Sequence, residues 1–87
     1  MLAVMDSSIR NAMEIFIPLL NEGVPVLRPT KGEAVSTNAY RILPTFDYDP
    51  NSEQWAFPPG SVVRCEYEIH SGKRILVAKE RSGYDPE

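Results

Sequence analysis

Hydrophobic and polar positions repeat with two different periods along this 87-residue chain. In its first quarter the apolar residues recur at intervals of three and four, the spacing of one helix face: Ile9, Ala12, Met13, Phe16, Leu19 and Leu20. Asp6 can cap the first turn and Gly23 can end the last one. We therefore predict a helix over residues 6–22, which Pro18 kinks or ends early because proline lacks the amide hydrogen that a helix interior needs.

After residue 23 the apolar and polar residues alternate instead, which predicts short β-strands separated by turns. The predicted strands cover residues 24–27, 39–43, 54–57, 61–69 and 74–79. The segment RPTKGE, residues 28–33, is predicted to be a turn, and residues 46–53 a loop. Pro59 and Gly60 suit the two central positions of a type II turn, since glycine accepts the positive φ there.

Residues 61–69 show the clearest alternation, with Val63, Cys65, Tyr67 and Ile69 on one face. The segment HSGK, residues 70–73, predicts a hairpin turn to strand 74–79. A two-residue loop would give these cross-strand pairs: Tyr67–Leu76, Cys65–Ala78 and the like-charged Arg64–Lys79. A three-residue loop would pair Tyr67 with Val77, and the alternation is compatible with both registers.

One helix followed by about five short strands predicts a mainly β domain of the α+β class. The first choice is a small SH3-like antiparallel barrel, since few folds fit five short strands into so few residues. An OB-like barrel, or an open antiparallel sheet packed on the helix, is the alternative. The chain is expected to form one domain over 1–87, with the helix at 6–22, the barrel at 24–80 and a loose tail at 81–87.

Residues 44–64, about a quarter of the chain, resemble part of an SH3 domain. PTFDYDP is similar to the ALYDYDP segment of that family, with Phe46 and Tyr48 at its two aromatic positions. WAFPPGSVVRC is similar to the family's LSFKKGDVI segment, with Phe57 and Gly60 in register. SH3 domains bind polyproline helices in an aromatic groove, so the resemblance implies a barrel in which Phe46, Tyr48 and Trp55 line part of a groove.

The charge balance and the single cysteine limit the classes of partner and the cellular compartment that we expect. The net charge is −3, with acidic and basic residues interspersed, which argues against a general binder of phosphate backbones. The single cysteine, Cys65, cannot form an internal disulfide, so we expect a reducing, cytoplasmic compartment. Residues 1–5 are too short and too weakly apolar for a signal peptide, and the longest apolar run, 15–20, is too short to span a membrane.

Candidate catalytic and metal chemistry is sparse. Asp47, Asp49, Asn51 and Glu53 alternate like the start of a calcium loop, but Pro58 stands where a bidentate glutamate would be required. Cys65 and His70 are five residues apart, so a regular strand directs them to opposite faces. We therefore expect no metal, no cofactor and no enzymatic activity; a small enzyme that uses Glu66 or Glu68 with His70 is a further alternative.

The acidic loop and its aromatic edge are the predicted binding face: Tyr48, Asp49, Glu53 and Trp55. The aromatic rings would supply buried area, and the carboxylates would orient a basic protein or peptide. The sequence thus predicts a non-catalytic protein-interaction module. Trp55 lies beside two prolines, and the same residues also fit a core position at a barrel corner.

Two other partners are considered. Single-stranded nucleic acid could bind if Arg41, Arg64 and Arg74 converge on one face of the barrel. A second copy of the chain could pack on the wide apolar stripe of the helix, which would give a homodimer through Ile9, Met13, Phe16 and Ile17. No membrane partner is expected.

Overall fold

The computed structural model describes residues 12–82, which fold as one β-rich domain of six strands. Their bounds are Ala12–Leu20 (β1), Leu27–Ser36 (β2), Ala39–Ile42 (β3), Gln54–Trp55 (β4), Val62–His70 (β5) and Lys73–Arg81 (β6). Strands make up 61% of the described residues and none of those residues is helical, so this part of the chain is all-β. It accordingly contains no helix long and apolar enough to cross a membrane.

Five of the strands form a ring. Antiparallel pairs join β1 to β2, β2 to β3, β3 to β5 and β5 to β6, and a parallel contact between Phe16 and Val77 joins β6 to β1. The short strand β4 pairs with the end of β1, where Leu19 lies opposite Trp55. Because β1 and β6 run parallel, this end of β1 lies toward the start of β5, and the β5–β6 turn lies at the opposite end of the ring. We name residues 46–55 the loop end and residues 66–75 the hairpin end.

The inside of the ring is filled by apolar side chains from β1, β3, β5 and β6 and by Trp55 of β4. The core cluster consists of Ile15, Ile17, Ile42, Trp55, Val63, Cys65, Leu76 and Ala78. Leu19, Tyr40, Tyr48 and Phe57 pack against this cluster and remain partly exposed. The core therefore lies toward the loop end and includes few residues of the hairpin end.

The predicted helix over 6–22 is wrong wherever the structure describes it, because residues 12–20 form β1; residues 6–11 lie outside the described residues. Ile15 and Ile17 are fully buried, and β-branched residues favour strands. Pro18 would cost about 3 kcal/mol inside a helix. In β1 its carbonyl instead accepts a hydrogen bond from the amide of Ala56 at 2.8 Å.

The predicted α+β fold class is therefore wrong, and so are the SH3-like barrel, the OB-like barrel and the sheet packed on a helix. The ring includes the very segment that was predicted to be the helix. The predicted tail at 81–87 begins inside β6, since Arg81 is its last residue. Ser82 then donates a backbone hydrogen bond to Val62, and residues 83–87 lie outside the described residues.

The predicted turn over 28–33 is also wrong, because these residues lie inside β2. Its glycine has a packing role: a Cβ at Gly32 would lie 2.7 Å from Cδ1 of Ile15. Glycine therefore leaves room for the buried side chain of Ile15 over β2. Pro29 lies in the part of β2 that pairs with β1 alone, so its missing amide hydrogen costs no bond to β3.

The four later strand predictions are confirmed as β3, β4, β5 and β6, with ends displaced by one or two residues. The predicted strand at 24–27 is not, because β2 begins only at Leu27. The type II turn is confirmed: Gly60 has a φ of 96°, and the Ser61 amide donates to the Pro58 carbonyl at 3.0 Å.

The two-residue hairpin loop is confirmed, with φ values of 51° at Ser71 and 78° at Gly72. Two of its predicted pairs are present: Tyr67–Leu76 and Cys65–Ala78. The predicted Arg64–Lys79 pair is wrong, because a register shift beside Cys65 places Glu80 opposite Arg64 instead. The shift replaces a repulsive pair by an ion pair, in which Nε of Arg64 lies 2.7 Å from the Glu80 carboxylate.

Candidate functional site

Trp55, the centre of the predicted binding face, is only 5% exposed and belongs to the core cluster. Its ring lies edge-on to that of Tyr48, with centroids 4.8 Å apart and an interplanar angle of 70°. Its indole nitrogen donates a hydrogen bond to Glu53 at 3.0 Å, so the polar edge is satisfied within the loop. Trp55 therefore offers no exposed surface to a partner, whereas Phe46 is fully exposed.

Asp49 stabilises the loop that covers this end of the ring. Its carboxylate accepts hydrogen bonds from the Asn51 amide at 2.9 Å and the Ser52 hydroxyl at 3.0 Å. Its carbonyl accepts two more, from the amides of Ser52 and Glu53. This is the local bonding by which aspartate closes a turn.

Glu53 lies between Trp55 and a cation from the start of β2. Nε of Arg28 is 3.4 Å from the Glu53 carboxylate, and the same guanidinium donates to Asp47 at 2.7 Å. The structure thus brings the four predicted residues together at the loop end and gives each an internal contact. Their role as a binding site stays a prediction, with Trp55 removed from the exposed part of it.

Within the described residues, the side chains considered as metal ligands or as a nucleophile and its base do not lie in an arrangement that supports either role. Among residues 12–82, no three side chains of His, Cys, Asp or Glu converge as metal ligands. Cys65 is buried, and burial raises the pKa of its thiol to about 11, which keeps it protonated and unreactive at neutral pH. His70 lies at the hairpin end, where its Nε2 is 2.7 Å from the Glu68 carboxylate.

The three candidate nucleic-acid-binding arginines do not form one basic face. Arg41 is 3.5 Å from the Glu33 carboxylate, and Arg64 contacts two carboxylates, those of Glu66 and Glu80. These ion pairs lie on the outer face of the ring, so each of the two arginines is next to an acidic side chain. The guanidinium of Arg74 lies elsewhere, 4.0 Å from the ring centroid of Tyr67 at the hairpin end.

The hairpin end exposes apolar side chains that share a face of β5 with buried ones. Tyr67 is 52% exposed and Ile69 is 68% exposed, although Val63 and Cys65 on the same face of β5 are buried. The reason is strand length: β3 has four residues and pairs with β5 only through Val62–Arg64. Beyond that point β5 and β6 continue as a projecting hairpin, and its inner face is uncovered next to β5.

The opposite face of the hairpin carries ion pairs. Glu68 contacts both Lys79 and His70, while Arg64 contacts Glu66 and Glu80. The hydrogen bonds from His70 and Lys79 hold the pKa of Glu68 below its ordinary value, so this carboxylate stays ionised at neutral pH. On the same face, Val77 and Ile75 lie opposite Glu66 and Glu68 and are buried, so the ion pairs flank apolar residues of β6.

The sequence contained one signal for this exposure. The alternating run 61–69 is nearly twice the length of the run 39–43 that precedes it, so the shorter strand cannot cover the longer one. That signal becomes usable only when β3 and β5 are known to be neighbours, which is a long-range property.

No protein-family model, curated protein sequence or solved structure matches this chain.

Proposed function

We propose that this chain is a non-catalytic protein-interaction module whose contact surface is the inner face of the hairpin end. The observation that carries the proposal is the pair of exposed side chains Tyr67 and Ile69 on a part of β5 that β3 does not cover. The loop end is the less suitable surface, because its tryptophan is buried and its acidic side chains are used internally.

The composition of this surface suits protein recognition. Tyrosine and arginine are the residue types that most often carry binding energy at interfaces, and here Arg74 stacks on Tyr67. Ile69 extends the same face with an exposed aliphatic side chain. Adjacent exposed apolar residues on a small domain are typical of a surface that becomes buried in a complex.

The hairpin also holds this face in a defined shape before any partner arrives. The two-residue turn fixes the register, and the ion pairs of Glu68 and Arg64 tie β5 to β6 from the other face. A contact surface that is ordered in the free protein loses less conformational entropy when it binds.

The observations do not favour the two alternative functions. Nucleic acid would need free converging cations, whereas Arg41 and Arg64 already contact carboxylates. A small enzyme would need a cavity around Glu66, Glu68 or His70. The open depressions at residues 20–22 and 50–54, about 420 Å³, and at 14, 29–31 and 44–46, about 410 Å³, contain none of these residues.

Site-specific photo-crosslinking tests this proposal, because the chain offers a matched control position. Ile69 and Val24 are both β-branched and are 68% and 67% exposed, but Val24 precedes β2, far from the hairpin in sequence. A photoreactive amino acid at position 69 should give discrete protein adducts in cells, and the same amino acid at position 24 should not. Unlabelled wild-type protein should suppress the adducts, while the variant Tyr67→Ser/Ile69→Ser should fail to do so.

Equal crosslinking at the two positions would show non-specific collision and would contradict the proposal. The proposal would also be contradicted if the double variant suppressed the adducts as well as the unlabelled wild-type protein does.

A further inference from the structure

At the hairpin end, amide and carbonyl groups of β5 are exposed together with the side chains. The Cys65 amide points toward β3, since it donates to the Asn38 carbonyl at 3.4 Å. Successive residues of a strand point their amides to opposite edges, so those of Tyr67 and Ile69 point to the same edge as Cys65. The last β3 partner of β5 is Arg64, and within residues 12–82 no strand pairs with that edge beyond it. Two amides and two carbonyls therefore face outward there.

We infer that this edge of β5 binds its partner by β-strand addition, in which an extended segment of another protein continues the sheet. The inference rests on the proposed function and specifies how the same surface binds. Unpaired backbone donors and acceptors on an edge strand are the template for such pairing. The four outward groups belong to Tyr67 and Ile69, so one added strand can bond to the backbone of these residues and pack on their side chains.

The side chains along the edge define the partner's sequence pattern. Residues opposite Tyr67 and Ile69 share their face and should be apolar. The residues between them lie on the outer face, next to the carboxylates of Glu66 and Glu68. The Glu66 side chain is 52% exposed and the Glu68 side chain is 30% exposed, and each carboxylate has acceptor positions beyond those used by Arg64, Lys79 and His70. The partner strand is therefore an extended peptide that alternates apolar residues with lysine or arginine.

The same carboxylates disfavour a second copy of this chain as the partner. Two copies that pair antiparallel with matching faces have three registers around this edge. Pairing Tyr67 with Ile69 sets Glu68 opposite its own counterpart, and pairing Tyr67 with itself sets Glu66 opposite Glu68. Pairing Ile69 with itself sets Glu68 opposite His70, but it places Tyr67 opposite Ser71, which lies in the turn and has a φ of 51°. Like charges directly opposite each other destabilise a strand pair, so the edge favours a basic foreign strand over itself.

Amide hydrogen exchange in the free protein provides the first test. The amides of Glu66 and Glu68 point toward β6, whereas those of Tyr67 and Ile69 point to the open edge. We expect the open-edge amides to exchange at least about tenfold faster, after correction for intrinsic rates. Slow exchange at both would show that another segment of the chain already occupies the edge, and the inference would fail.

Selection from a display library of random peptides of about ten residues, with the wild-type protein as bait, provides the second test. The expected binders alternate apolar and basic residues, and they slow exchange at Tyr67 and Ile69. N-methylation of peptide amides that face β5 should weaken binding about tenfold or more per site. N-methylation of the intervening amides, which point away, is the matched control and should leave binding intact. The variant Glu66→Lys should shift selection toward acidic peptides.

The outcomes separate strand addition from the broader proposal. Peptides that need Tyr67 and Ile69 but tolerate methylation at every amide would overturn strand addition and leave the protein-interaction proposal standing. Enrichment of no peptide, or only of helical or proline-rich ones, would likewise overturn strand addition. If the photo-crosslinks at position 69 are also absent, both proposals fail.

Discussion

The two ends of β5 use the same alternation of side chains for opposite purposes. At its start, Val63 and Cys65 are buried against Trp55 and the rest of the core cluster. At its far end, Tyr67 and Ile69 continue on the same face but are exposed. The loop end of the ring is covered by residues 46–55, whose polar groups bond to one another, while no comparable loop covers the hairpin end among the described residues.

This difference shows that the neighbours of a strand, rather than its own sequence, decide whether its apolar face is core or contact surface. The loop end is rich in acidic and aromatic residues, and these look like recognition chemistry in the sequence. In three dimensions Tyr48, Asp49, Glu53 and Trp55 contact one another or the loop backbone, and Phe46 alone of the loop's aromatic residues is fully exposed. The hairpin end looks like ordinary core sequence, yet its face is uncovered because β3 is short.

Truncation of Trp55 should give the largest effect. The variant Trp55→Ala removes a buried ring from the core and should lower the free energy of unfolding by about 3–5 kcal/mol. The variant Tyr67→Ala, at the far end of β5, should lower the free energy of unfolding by much less, because half of that side chain is already exposed. Urea denaturation followed by circular dichroism measures both. Similar losses for the two variants would contradict the contrast between the ends.

Alkylation of Cys65 tests where the buried part of β5 ends and its uncovered part begins. Burial raises its thiol pKa from 9.0 to about 11, so at pH 8 the native thiolate fraction should be about 100-fold lower than in the unfolded chain. Iodoacetamide should therefore modify Cys65 at least about 100-fold more slowly in the native protein than in the unfolded chain. A native rate close to the denatured rate would mean that the uncovered region extends inward past Cys65.

The same shift predicts a loss of stability at high pH. Above pH 9 the unfolded chain releases a thiol proton that the folded chain retains until about pH 11. The contribution of Cys65 to stability is therefore fully present below pH 9 and is lost as the pH rises toward 11. The wild type should lose stability over this range more steeply than Cys65→Ala, as measured by chemical denaturation at each pH. Parallel pH profiles would contradict this assignment.

Loss of the Glu53 carboxylate should have a smaller effect at the loop end. Glu53→Ala leaves the buried indole N–H of Trp55 without its acceptor and should cost about 1–3 kcal/mol. Glu66→Ala is the matched control at the hairpin end, where the carboxylate is half exposed and solvent screens its ion pair. Thermal denaturation compares the two; an equal or larger loss for Glu66→Ala would contradict the internal role of Glu53.

Substitution of Ile69 should have the smallest effect on folding. Because this side chain is 68% exposed, Ile69→Ser should change the free energy of unfolding by no more than about 0.5 kcal/mol. A photoreactive amino acid at position 67 should give the same adducts as one at position 69, and Ile69→Ser should abolish them. Strong destabilisation would show that Ile69 packs as core and would remove it from the contact surface.

Local signals predicted the second half of the fold well. The turns at Pro59–Gly60 and Ser71–Gly72 follow from the positive φ that glycine accepts, and both were identified. β1 was not, because its apolar residues satisfy helical and alternating spacing at once. Ile15, Ile17 and Pro18 favoured a strand, but the helical stripe was longer. β2 was missed because Pro29 and Gly32 are turn residues in isolation and become suitable only beside β1 and β3.

The candidate site was harder to predict, because it depends on contacts between distant segments. The sequence correctly left open a core position for Trp55, but it could not show that Glu53 and Tyr48 would enclose it. It placed Tyr67 and Ile69 on the right face of the right hairpin. Their exposure depends on where β3 ends, and no property of residues 61–69 encodes that.

The parallel contact between β1 and β6 has a consequence for synthesis on the ribosome. Phe16 and Val77 are about sixty positions apart, so the ring can close only after almost all of the described chain has left the exit tunnel. Until then Ile15 and Ile17 lie on a strand that lacks its second neighbour, and such edges are prone to aggregate. Contacts this distant in sequence also slow folding. The yield of folded protein should therefore depend on how long the growing chain is protected before β6 emerges.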